Sequence, residues 1–162
     1  MKTIIVTGSV GSGKTTLVKK LAKKLNYEYV DVSKLIVKEK LSSGYDYKKK
    51  CEIIDVKKLN QSLVRLINNK SASKTKGIII DSHLSQYLQC KYADFCLVTK
   101  CSLKILKKRL KKRKYSKEKI RENIDCEIFD VCLEEAKDNK HNIIVIDTTK
   151  GINTSKILQK IR

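Results

Sequence analysis

The chain has 162 residues, with 37 Lys and Arg against 17 Asp and Glu and a formal net charge of +20. That length suits one domain whose core can stand without disulfide or metal staples. With 41% hydrophobic and 33% charged residues, and no apolar run near 18 residues, the composition excludes a disordered chain and a membrane-spanning helix.

The first apolar run, Thr3–Thr7, follows Met1-Lys2 directly. It is too short for the apolar region of a signal peptide, so an intracellular protein without a membrane partner is expected. Thr15–Leu25 aligns Leu17, Leu21 and Leu25 on one helical stripe. Tyr27–Val32 is a mixed strand pattern. Val56–Ile67 repeats Leu59, Leu63, Leu66 and Ile67 at helical spacing, and the polar stretch Asn68–Lys76 reads as a surface loop. Gly77–Asp81, Ala93–Thr99 and Asn142–Asp147 are near-continuous in large apolar residues, as strands covered on both faces are. Helical patterns separate them at Ser102–Lys112 and Lys117–Ala136, and a last helix spans about Asn153–Ile161. Strands alternating with helices predict an α/β fold with a five-stranded parallel sheet and helices on both faces.

Cysteines stand at 51, 90, 96, 101, 126 and 132, with no C-x-x-C pair, and neither His83 nor His141 has metal-ligand spacing. Buried free thiols in a reducing compartment are expected. The basic excess attracts polyanions such as RNA, acidic proteins or nucleotides. It equally fits a lysine-rich composition filling solvated positions.

Gly8-Ser9-Val10-Gly11-Ser12-Gly13-Lys14-Thr15 fits G-x-x-x-x-G-K-[ST] between a strand and an amphipathic helix. Glycines at 8, 11 and 13 let backbone N–H groups converge on phosphate oxygens, and the helix start adds its positive end. Lys14 supplies charge to the β- and γ-phosphates of ATP, the Thr15 hydroxyl suits Mg²⁺, and Thr16 reaches the α-phosphate. Asp81, closing the run Ile78-Ile79-Ile80, is placed to hold Mg²⁺. His83 follows at the same sheet edge, where it is either structural or functional. Lys100–Lys119 has Glu118 as its one acidic residue. Within it Arg109 and Arg113 share a helix face and are candidates to meet the charge that develops in phosphoryl transfer, the alternative being a solvated basic face.

Together with D-V-S-K-L at 31–35, G-Y-D at 44–46, I-I-D-S-H at 79–83, R-L-K-K-R-K-Y at 109–115 and E-N-I-D-C-E-I-F at 122–129, these motifs resemble the adenylate kinase isoenzyme 6 family of archaea and eukaryotic nuclei. The likeness runs almost without gaps from about Thr3 to Ala136. It implies a single nucleoside-monophosphate-kinase domain, with an acceptor region at about 31–54 and a short lid at about 112–122. It implies ATP + AMP ⇌ 2 ADP with Mg²⁺, an ATPase activity, and a role in small-ribosomal-subunit maturation through a small-subunit ribosomal protein and pre-ribosomal RNA. That places the protein in the cytoplasm of an archaeon, or in the nucleus or cytoplasm of a eukaryote. The resemblance gives Asp81 and His83 to metal positioning and hydrolysis, and Arg113 to ATP. Four departures stand out: Ser9-Val10 replaces the family's Thr-Pro in the phosphate loop, Lys114 replaces its lid glycine, Lys48-Lys49-Lys50 replaces an acidic stretch, and Val37 replaces a basic residue of the acceptor helix. Two further readings remain: an ATP-driven ribosome-assembly factor with incidental kinase turnover, and a kinase of another small metabolite.

Overall fold

The computed structural model describes residues 1–48 and 51–161. Lys49 and Lys50, where the charge reversal is expected, lie outside them. Five strands form the main sheet: β1 Lys2–Thr7, β2 Glu28–Asp31, β5 Gly77–Asp81, β6 Phe95–Lys100 and β7 Ile143–Asp147. They run parallel in the order β2-β5-β1-β6-β7. A separate antiparallel hairpin pairs β3 Ser42–Asp46 with β4 Cys51–Ile54. The helices are α1 Lys14–Leu25, α2 Val32–Glu39, α3 Val56–Ala72, α4 Leu103–Lys112, α5 Lys117–Ile128, α6 Val131–Asp138 and α7 Thr154–Lys160.

The central strands β1, β5 and β6 are mostly buried because both faces are covered, and the pleat sorts their side chains between two cores, while the edge strands β2 and β7 are partly exposed. Ile5, Ile78, Ile80, Cys96 and Val98 meet Leu59 and Leu63 of α3 and Ala136 of α6 on one side. Ile4, Val6, Ile79 and Leu97 meet Leu17 and Leu21 of α1 and Ile157 of α7 on the other. A smaller cluster of Cys101, Leu106 and Leu110, with Val10, Ile120 and Ile124 against it, seats α4 and α5 beside the loop after β1. Short polar residues start several helices by accepting backbone N–H bonds: Asp31 from Ser33, Asp55 from Lys58, Ser116 from Lys119 and Asn153 from Lys156.

Three expectations are corrected. The helix expected over Lys117–Ala136 is two, because Asp130 turns into the left-handed region at φ 52° and its carboxylate pairs with Lys100 at the end of β6. The loop expected over Asn68–Lys76 is shorter, because α3 continues to Ala72. The thiols are free but not uniformly buried: Cys96, Cys101 and Cys132 are buried, Cys51 and Cys126 half-buried, and Cys90 exposed. No helix among the described residues is long and apolar enough to cross a membrane.

Candidate active site

β1 lies between β5 and β6: the chain passes from β1 to β2 on the β5 side, then from β5 across β1 to β6 on the other, so the strand order switches there. In open α/β sheets ligands bind at the carboxyl edge of such a point. The phosphate loop occupies that edge, and neighbouring strands and helices hold it. Gly8, at φ 137°, passes so close to β6 that a Cβ there would stand 2.4 Å from the Thr99 carbonyl oxygen. The Ser12 and Thr99 hydroxyls are 2.6 Å apart. From α5, Glu127 Oε2 accepts from the Ser9 hydroxyl at 2.5 Å, and Asn123 Oδ1 accepts from the Val10 N–H at 3.3 Å. Beyond β7, the Thr148 hydroxyl donates to the Ser12 carbonyl at 2.5 Å. A loop tied on three sides is preorganised for the close backbone approach a phosphate needs.

Lys14 donates to the Gly8 and Ser9 carbonyls at 2.7 and 2.9 Å. Crowding by protein pushes its ammonium below its ordinary value, while Cys132 and Asp81 draw it back up. Register aligns Asp81 with Val6 of β1 and with Asp31 of β2, which levels the three strand ends. The Thr15 hydroxyl donates to Asp81 Oδ2 at 2.7 Å, and the Tyr29 hydroxyl reaches the same oxygen at 3.3 Å. Desolvation, then the Asp81 charge, pushes the Tyr29 phenol up to about 12. His83 is accessible from the cleft yet walled by protein. That desolvation pushes its imidazole below the ordinary value, Lys14 and Lys119 push the same way, and Asp81 opposes them.

Lys14, Thr15, Thr16, Asp81, His83 and Arg113 line one cleft of about 270 Å³. Tyr29, Asp31, Ser33 and Ile36 close its other side. A second pocket of about 200 Å³ adjoins it, lined by Lys20, Arg109, Thr148 and Gly151, and the two share Gly11, Gly13, Thr16 and Arg113. The structure therefore brings six of the expected side chains to one cleft and sets Arg109 apart. Its guanidinium donates to the Gly11 carbonyl at 3.3 Å, the Thr148 hydroxyl at 3.1 Å and the Thr148 carbonyl at 2.9 Å. Lys114 stands at φ 58°, a conformation that glycine adopts more readily than lysine. Val37 is 74% exposed on α2. Asn123, Glu127 and Thr148 escaped the sequence reading as loop supports, although E-N-I-D-C-E-I-F marks the first two.

The chemistry of the donors fits Mg²⁺. This hard cation keeps several waters and takes one or two carboxylates beside substrate phosphate, and the cleft offers the Asp81 carboxylate with the Thr15 hydroxyl against it.

Known proteins share the sequence or the fold. A family model described as an AAA domain matches residues 4–130. The "adenylate kinase isoenzyme 6 homolog" of Caenorhabditis elegans is 36% identical over 142 residues, 88% of this chain and 76% of that protein. The homolog of the same name in Dictyostelium discoideum is 31% identical over 144 residues, covering 89% and 79%. Among solved structures, shikimate kinase from Acinetobacter baumannii shares the fold at TM-score 0.64 and 18% identity, covering 99% of this chain and 93% of that one. The phosphate loop, the Asp81–His83 edge and the α5 supports thus lie within a likeness that spans most of both chains, and the chain belongs to the adenylate kinase isoenzyme 6 family.

Proposed function

We propose that the protein is an adenylate kinase that moves the γ-phosphoryl group of ATP to AMP, in one domain with an acceptor region at 31–54 and a lid at 112–122. The observation that carries this reading is the pair of adjoining spaces, about 270 and 200 Å³, joined at the phosphate loop and Arg113. Two nucleotides meeting end to end need such a pair, with charge gathered where their phosphates meet. The donor's base lies toward Arg109 and Thr148. Lys14 exchanges its carbonyl partners for phosphate oxygens, and Thr16 takes the α-phosphate. Asp81 and Thr15 hold Mg²⁺, which when bound offsets the charge of the β- and γ-phosphates. Arg113 meets the charge that develops in transfer. Positioning and charge suffice for in-line transfer, with no covalent intermediate. The acceptor lies on the side of Tyr29, Asp31, Ser33 and Ile36. With AMP absent, His83 orients water and the same site hydrolyses ATP.

Coupled assays with AMP, CMP, GMP and UMP beside ATP alone test this. AMP should be the best acceptor, and Lys14→Ala should lower every rate by about 100-fold or more while the far-ultraviolet spectrum is kept. A variant retaining half the turnover would overturn the phosphate-loop assignment. Preference for a non-nucleotide hydroxyl acceptor would make the protein a kinase of another metabolite.

A second reading is an ATP-driven factor in small-ribosomal-subunit maturation, meeting a small-subunit ribosomal protein and ribosomal RNA. The groove between α4 and α5 favours it: Lys107, Lys111, Lys117 and Arg121 rim an apolar floor of Ile120 and Ile124. RNA held there through phosphates should dissociate with salt at a log–log slope of about −0.7 per phosphate neutralised. A flat response would leave these lysines a solvated coat.

A further inference from the structure

Two sulfurs meet behind the phosphate loop. Cys126, near the end of α5, and Cys132, at the start of α6, place their Sγ atoms 3.9 Å apart across the corner at Phe129-Asp130. No other pair of cysteines among the described residues shows such a contact. Cys132 is 9% exposed, whereas Cys126 is half-buried. The sulfurs also adjoin the loop: Gly8, Ser9, Cys126, Glu127 and Cys132 line one cavity of about 10 Å³. The residues that brace the loop, Asn123 and Glu127, sit three residues before Cys126 and one after it. Between the sulfurs, Asp130 already holds a left-handed turn, so the corner is where the backbone can yield.

We propose that Cys126 and Cys132 form an oxidisable dithiol site, which a hydroperoxide converts to a disulfide that disturbs the phosphate loop and slows nucleotide turnover. The thiols are not equivalent. The hydrogen bond between them holds the Cys126 thiol below its ordinary value, with Lys14 pulling the same way, and pushes Cys132 up. Cys126, the more exposed of the two and the one held lower, is therefore the attacking sulfur. Its sulfur takes the terminal oxygen of the hydroperoxide as the O–O bond breaks, giving a sulfenic acid and, after protonation, an alcohol or water. The Cys132 sulfur then displaces that oxygen. The S–O bond breaks as the S–S bond forms, and the Cys132 proton leaves with the oxygen as water. Two thiols lose two electrons and the peroxide gains them. A disulfide bond is about 2.05 Å long, so the sulfurs close by nearly half of their present separation. That movement pulls on the ends of α5 and α6 and, through Glu127 and Asn123, on Ser9 and Val10. The remaining thiols are poorly placed to compete: burial pushes Cys96 up to about 12 and raises Cys101 as well, and Cys51 and Cys90 have no sulfur partner.

Folded wild-type protein treated with hydrogen peroxide, then alkylated and digested, should yield one peptide pair linked through 126 and 132. ATP turnover should fall by about ten-fold or more, the scale of an ångström-sized misplacement at a reacting centre, and dithiothreitol should restore it. Cys132→Ser should form no link and keep its turnover under the same dose. If that variant does not fold, Cys126→Ser removes the same pair. Absence of the linked peptide, a linked protein with full turnover, or equal inactivation of the serine variant would each overturn the proposal. A reduced protein without nucleotide turnover would instead sink the kinase reading, and the linked peptide would still report on the dithiol.

Discussion

The Ser9 hydroxyl and the Glu127 carboxylate, 118 positions apart in the chain, meet at 2.5 Å, and the other Glu127 oxygen accepts the Cys101 N–H at 2.8 Å. One buried carboxylate thus ties the phosphate loop to the end of β6. Removing it orphans a buried hydroxyl and a buried N–H, each worth about 1–3 kcal/mol. Glu127→Ala should therefore lower the urea midpoint and weaken ADP binding together, although Glu127 touches no ligand. Calorimetric titration beside a urea melt checks this. Unchanged affinity in a destabilised variant would make Glu127 a fold residue only.

Arg109 and Arg113 lie one turn apart yet should fail differently. Arg109 is committed to the Gly11 and Thr148 carbonyls, so Arg109→Ala should lower stability and donor affinity. Arg113 is exposed at the end of α4 and faces both spaces. Arg113→Ala should lower kcat by about 100-fold and change KM little, because a lid arginine gains most where charge develops. Steady-state kinetics separate the two. A KM effect alone would remove Arg113 from the catalytic list.

Asp81 and His83 should share a cleft without sharing a role. Asp81→Asn removes the carboxylate that meets Thr15 and should depress transfer and hydrolysis alike. His83→Ala should cut hydrolysis by about ten-fold or more, the size of a general-base contribution, and spare more of the transfer, since AMP brings its own nucleophile. Rates with ATP alone and with ATP plus AMP decide it. Equal losses would make His83 a positioning residue for the metal or the fold.

Tyr87 donates to Glu135 at 2.5 Å. Desolvation first, and then this bond, pushes its phenol up to about 12. The native state therefore favours the neutral phenol. The stability this contributes is complete below about pH 10, the ordinary tyrosine value, and is lost as pH rises toward 12. Wild type should melt above Tyr87→Phe at pH 8, and the gap should shrink between pH 10 and 12. Thermal melts across that range test the sign, which reverses if the phenolate is favoured.

Four of the sheet's strands and the phosphate loop were legible in the sequence because continuous apolar runs and glycine spacing act locally, whereas β2, Glu28–Asp31, with Val30 as its one buried residue, wrote only a mixed pattern. The hairpin β3–β4 and α2 were not legible. In β3, Ser42, Ser43 and Tyr45 are exposed, so no buried face writes an alternating pattern, and α2 has Val32 as its one buried residue. The break at Asp130 was hidden because an aspartate, not a glycine or proline, makes the turn. Arg109 was read as a candidate to meet the transferring phosphoryl group, but its carbonyl partners come from residues 98 and 39 positions away, a distance no periodicity reports. Glu127 was invisible as a support for the same reason.

Lys40, Lys74, Lys114 and Lys140 stand at φ between 51° and 58° where α2, α3, α4 and α6 end. The chain has six glycines and no proline, so lysine fills positions that glycine occupies without strain. Left-handed backbone costs an L residue roughly 1–2 kcal/mol, and each of these helices is sprung at its tail. Amide exchange should then be fastest at these four tails and slowest in the central sheet. At Lys114, between Arg113 and α5, that strain lies beside the cleft Arg113 lines, so opening there would come from a residue that resists its native conformation, not from one that tolerates many.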